Sequence, residues 1–245
     1  EWPGMLGPIK EIGEYADGVG VINTAPEIDG VVRRIPLIMR IGEDTYPAMA
    51  LETIRVATGD PSYQIKATEG GVVAVRVPGY DTIETDQHAR IWLRWNKDYN
   101  TLSASSQDFS QFSGKTVIIA LTAEGLSSIV ATPLGEKYDY VLSASTLQTV
   151  LDGKQINRYD YSLFLELIIS LFIGMSIVIL TRFTPYWFIG LTMVLSYVIL
   201  VFTSYYLFTE YLILADVSWS IFVLTIVGMH SIFNRFVLEF QLKQQ

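Results

Sequence analysis

From Leu163 onward the chain loses the short apolar and polar segments of its first part and becomes apolar almost without interruption. Three stretches follow one another: Leu163 to Thr181, Tyr186 to Phe208 and Tyr211 to Phe233, the middle one free of charged residues. A helix of about 20 residues, rising about 1.5 Å per residue, covers the roughly 30 Å hydrocarbon layer of a bilayer. The pattern therefore predicts three membrane-spanning helices. Upstream the periodicity is that of a mixed α/β domain. Gly18 to Asn23 is a short apolar run, Thr24 to Gly30 a turn, and Val31 to Ile41 a strand. After a turn at Gly42-Glu43-Asp44, the spacing of Met49, Ala50, Ile54 and Ala57 predicts a helix over Tyr46 to Thr58, ended by Gly59-Asp60-Pro61. Val72 to Val77 and Ala89 to Trp95 read as strands and Thr116 to Leu121 as a buried strand. A polar loop precedes a helix over Tyr138 to Leu151, closed by Asp152-Gly153. The expected architecture is an α/β (mixed) extracytoplasmic sensory domain over residues 1 to 160, an all-α three-helix transmembrane region over residues 161 to 233, and the start of a cytoplasmic linker helix over residues 234 to 245.

Charge separates the same two parts. Residues 1 to 160 carry 14 of the 17 Lys and Arg and 21 of the 25 Asp and Glu, a net of −7 within a total of −8. That balance argues against a nucleic-acid partner, since phosphate binding needs clustered cations. With no Cys and only His88 and His230, disulfides, thiolate catalysis and Cys-ligated metals are excluded, and no metal or cofactor is expected. Arg182 stands between the first two spans and Arg235 and Lys243 follow the third, while Glu210 lies between the second and third. Positive charge on the cytoplasmic side then places the C-terminus in the cytoplasm and residues 1 to 160 outside it, across a plasma (in bacteria, inner) membrane. The opening Glu1-Trp2-Pro3-Gly4 is neither an initiator Met nor a signal-peptide start, and reads as part of a longer polypeptide.

Familiar enzyme motifs fail when tested. Ser113-Gly114-Lys115-Thr116 resembles the end of a phosphate loop, but Phe109 stands where its first Gly is needed, and it reads as a turn. Gly18 and Gly20 lack the third Gly of a dinucleotide fingerprint, because Asn23 occupies that place. Glu84 and Asp86 read as solvated surface, and no catalytic residue is assigned. Arg33 and Arg34 point to opposite faces of one strand, so at most one lines a pocket. Within the spans, Glu166, Asp216 (read as the sixth residue of the third span) and His230 are close enough to the ends to reach interfacial water. Ser170 and Gly174 have the small-xxx-small spacing that lets helices approach closely. Ser170, Gly174 and Asp216 are the candidate signal-transmitting residues.

Asp29-Gly30-Val31-Val32-Arg33-Arg34-Ile35-Pro36-Leu37, followed by Tyr46-Pro47-Ala48-Met49-Ala50-Leu51-Glu52, resembles the central signature of the CHASE type-two family of extracellular sensory domains. The resemblance continues through Phe112 to Ile119, Thr122-Ala123, Gly125-Leu126 and Ala131-Thr132-Pro133-Leu134-Gly135, and ends, as in the family, with three membrane spans. It implies a receptor for an unidentified small-molecule or protein stimulus, with Arg33, Arg34, Thr122 and Thr132 as candidate ligand contacts. It also implies the bilayer and a second copy, or another membrane protein, as partners. The family's further N-terminal half is not found here, and Ala120, Ser128, Val141 and Ser143 replace its usual Gly, Asp, Glu and His. Asn234 to Gln245 is similar to the helical linker that leads, in some members, into a class III adenylate or guanylate cyclase. A histidine-kinase or Ser/Thr-kinase output, or an accessory subunit without signalling, are the alternatives.

Overall fold

The computed structural model describes residues 6–95, 99–106, 109–123, 125, 127–159 and 161–244, so Glu1 to Gly4, Leu126 and Gln245, cited above, lie outside the described residues. Two compact units divide the chain, Glu1–Gln155 and Ile156–Gln245.

The first unit begins with a short helix α1 (Lys10–Gly13) and an extended run whose Val21 forms a parallel bridge with Ala48. Gly20 permits that contact, because a Cβ there would overlap the Met49 backbone. Where one strand was expected over Val31 to Ile41 there are two, β1 (Arg34–Pro36) and β2 (Ile38–Ile41). Pro36 has no N–H to extend the ladder, and the chain bends at Leu37 to reach a second partner. β2 pairs antiparallel with β3 (Asp44–Pro47), and α2 (Met49–Thr58) starts later than the expected Tyr46. Pro47 disfavours helical torsions at Tyr46, which joins the strand. Gly59 closes α2 at φ 70°.

β4 (Gln64–Thr68), β5 (Gly71–Arg76) and β6 (Thr82–Glu84) form an antiparallel meander, and β7 (Arg90–Trp92) pairs with β1. β4 is exposed along its whole length, so no buried apolar face announced it. A 3-10 turn at Ser110–Phe112 leads through Gly114 (φ 69°), as the turn reading expects, into residues 116 to 121. The buried strand expected there is overturned. The stretch forms no strand and is unpaired among the described residues, with Val117, Ile119 and Leu121 exposed by 47%, 94% and 70%. No described strand lies beside it to accept its backbone groups. The hairpin of β8 (Ile129–Thr132) and β9 (Gly135–Tyr138) follows where only a polar loop was expected, and then α3 (Tyr140–Leu151). Ile35, Leu37, Leu51, Val75, Leu93 and Leu142 meet in the core of this unit.

Among its described residues the second unit holds three membrane-spanning helices: α4 (Ser162–Leu180), α5 (Tyr186–Tyr211) and α6 (Ser218–Lys243). α6 packs against both others, around Ile177, Ile189, Met193 and Leu224. The third helix begins at Ser218 rather than Tyr211. Leu212 takes a left-handed conformation (φ 54°) that ends α5, and Ile213 and Leu214, apolar as they are, turn their backbone to other partners. Asp216 therefore lies in the connection and not inside the span. At the other end the helix continues through Asn234 and beyond.

Candidate functional site

Arg34 projects from β1 into a ring of its own chain's groups. Its Nε and Nη2 donate to the two oxygens of Glu27 at 2.6 and 2.7 Å, Nη1 donates to Asp86 at 3.2 Å, and the guanidinium lies 5.0 Å from the Trp92 ring centre. The hydrogen bond from Arg34 holds the Glu27 carboxyl below its ordinary range, and the Glu27 contact raises Arg34 in turn. Asp86 also accepts the His88 and Arg90 amides and Arg90 Nε, so it is a structural anchor more than the solvated acid expected of it. Arg33, on the opposite face, pairs at the surface with Asp29, whose carboxyl it lowers to about 2. Thr132 closes the β8–β9 turn, donating to the Gly135 carbonyl and accepting from the Leu134 amide. Thr122 is exposed in the unpaired run before Ala123. The four candidate contacts are thus not gathered into one site, and three of them, Arg33, Arg34 and Thr132, are held by partners in their own chain.

A cleft of about 430 Å³ opens elsewhere in this unit, where the chain after β7, the β8–β9 hairpin and the start of α3 converge. Trp95, Tyr99, Tyr138 and Tyr140 line it, together with Glu136 and Lys137. The Tyr138 and Tyr140 rings stack at 6.2 Å. Tyr99 is fixed by a 2.9 Å hydrogen bond between its hydroxyl and Ser145, and burial raises its pKa. Ser145 is fully buried on α3, one turn before Thr149, which accepts the Arg94 amide at 3.0 Å. Two small hydroxyl side chains on α3 thereby set the path of the chain that carries Trp95 and Tyr99. Helix periodicity gave no sign of this, because the aromatic residues come from segments 40 positions apart. Val141 also borders the cleft.

In the second unit the dispersed polar residues of the sequence come together. Glu166, 8% exposed on α4, accepts the Asp216 amide on Oε1 at 2.8 Å, while its Oε2 faces Arg158 at 3.6 Å. One turn further, Ser170 Oγ donates to the Glu166 carbonyl and lies 2.8 Å from Ser220 Oγ on α6. Gly174, a turn beyond, leaves room for Val223. Asp216 accepts the Ser218 amide at the head of α6, and the Ser218 contacts keep its carboxyl below the ordinary range. Asn157 completes the group by bridging to Ile213: its amide donates to the Leu212 carbonyl and its carbonyl accepts the Leu214 amide. Ser170 and Gly174 therefore meet α6 from α4, Asp216 joins them through Glu166 ahead of α6, and Arg158 and Ser220 are the members that the sequence reading did not supply. Asn234 bonds His230 within α6, away from this group. Among the described residues no group of three or more His, Cys, Asp or Glu side chains is placed to hold a metal ion.

The family profile of the CHASE2 domain matches residues 7–180. No curated protein and no solved structure matches the chain.

Proposed function

The chain belongs to the CHASE2 domain family, and from that premise we propose that it is the extracytoplasmic input and membrane anchor of a signalling receptor whose output is a class III adenylate or guanylate cyclase. Residues 1 to 160 sense the stimulus outside the cell, and α4 to α6 carry its effect to a cytoplasmic C-terminus. The observation that carries the reading is the junction of Asn157, Arg158, Glu166 and Asp216. It ties the chain leaving the first unit to the head of α6, bypassing the length of two helices. α6 then runs for 26 residues, about 39 Å, without a break. A shift of residues 156 to 158 displaces a rod that ends at the membrane's far side. Class III cyclases form their active sites between two catalytic subunits, so two copies of the receptor give such a shift an effect. A ligand drives it only by binding the two arrangements unequally.

The test fuses the full chain to a class III cyclase domain and reads basal cyclic-nucleotide output. Glu166→Gln, which keeps the shape and removes the charge, is expected to change output by about threefold, in line with a coupling of a kcal/mol or less. The same substitution is expected to have no effect once a flexible Gly-Ser insert follows Phe240. Output indifferent to Glu166 with the rigid connection sinks the reading.

A further inference from the structure

We propose that the aromatic cleft between Trp95, Tyr99, Tyr138 and Tyr140 binds a neutral sugar, which names the stimulus class of the sensory role above and rests on it only for its physiological meaning. The cleft's size, about 430 Å³, is that of a small-molecule site, and its walls are aromatic with a few polar groups between them. Ring faces carry partial negative charge, and the C–H faces of a pyranose carry partial positive charge, so the two stack favourably. The stacked Tyr138 and Tyr140 rings and the Trp95 ring are the aromatic surfaces of the lining on which such a ligand would stack.

Charge decides among the ligands that aromatic walls could take. A ligand with a net charge of either sign is attracted by one of Glu136 and Lys137 and repelled by the other. Among the described residues one of each lines the cleft, and neither is paired with another side chain. A neutral ligand edged with hydroxyls uses both, donating to the carboxylate and accepting from the ammonium, and each such bond is strengthened by the charge. The Tyr99 hydroxyl is already committed to Ser145, so that ring is held in place before a ligand arrives.

The experiment uses the full chain in lipid nanodiscs and saturation-transfer NMR with maltose, cellobiose, galactose and N-acetylglucosamine, beside glucuronate and choline as charged counterparts. At least one neutral sugar is expected to saturate with a Kd of about 1 mM or tighter. Tyr138→Ala is expected to weaken it about tenfold while Tyr138→Phe leaves it within about twofold. Tyr138 is 40% exposed, so neither variant is expected to alter the circular dichroism spectrum. Glu136→Gln is expected to weaken binding about threefold. The proposal is overturned if no neutral sugar saturates by about 10 mM, if glucuronate or choline binds more tightly than every neutral sugar, or if Tyr138→Ala binds as the parent does. Binding is read on the receptor itself, so this result stands apart from the cyclase fusion, whose failure would leave the sugar site intact.

Discussion

The guanidinium of Arg34 is bound on two edges by carboxylates of its own chain and covered on one face by Trp92. Removing one member leaves the others incompletely satisfied, which costs more than the bond itself was worth. Glu27→Gln is expected to lower the stability of the first unit by about 1–3 kcal/mol at neutral pH, read by urea denaturation of the full chain with near-ultraviolet circular dichroism. The pH dependence follows from the direction of the shift. Glu27 has a lower pKa folded than unfolded, so its stabilisation is complete above the ordinary carboxylate value, near 4.5, and fades as pH falls through the lower folded value. Between about pH 5 and pH 3 the parent is expected to lose stability more steeply than Glu27→Gln; equal slopes would refute the assignment. Alternation along the strand was enough to separate the faces of Arg33 and Arg34. Their partners were not legible, because Glu27 and Asp86 stand 7 and 52 positions from Arg34 and only the folded sheet brings them together.

Among the elements, the apolar pattern located the three membrane helices of the described residues, yet it misplaced the start of the third. Hydrophobicity records what lipid tolerates, and Leu212 to Ala215 are apolar although their backbone is not helical. The strand breaks at Pro36 and the late start of α2 after Pro47 were present in the sequence as proline chemistry, and were masked by the continuous apolar run around them. Helix α6 packs closely on α5 because Gly228 leaves room for Met193, whose thioether a Cβ at that position would overlap. Gly228→Leu is expected to destabilise the three-helix unit by about 1–3 kcal/mol, seen as a lower thermal midpoint in detergent. Met193→Ala added to that variant is expected to recover at least half of the loss. A double variant no better than Gly228→Leu alone would show that the two helices do not meet there.

For the whole molecule, the absence of Cys makes single introduced thiols clean reporters of sidedness. Ile119→Cys, at one of the most exposed apolar positions, is expected to react with a membrane-impermeant maleimide on intact cells, and Gln241→Cys only after permeabilisation. The reverse pattern would place the acidic unit inside and end the receptor proposal. The division between an acidic soluble part and an apolar anchor was plain from composition, since lipid and water select such different residues. The aromatic cleft was not, because it exists only where three separated segments converge. The Asn157–Ile213 bridge has a mechanical corollary. By joining the residues that flank α4 and α5, it closes those two helices into a side loop, so tension on the incoming strand is shunted past them to α6. Lengthening the turn at Arg182 to Thr184 should then leave that load path untouched.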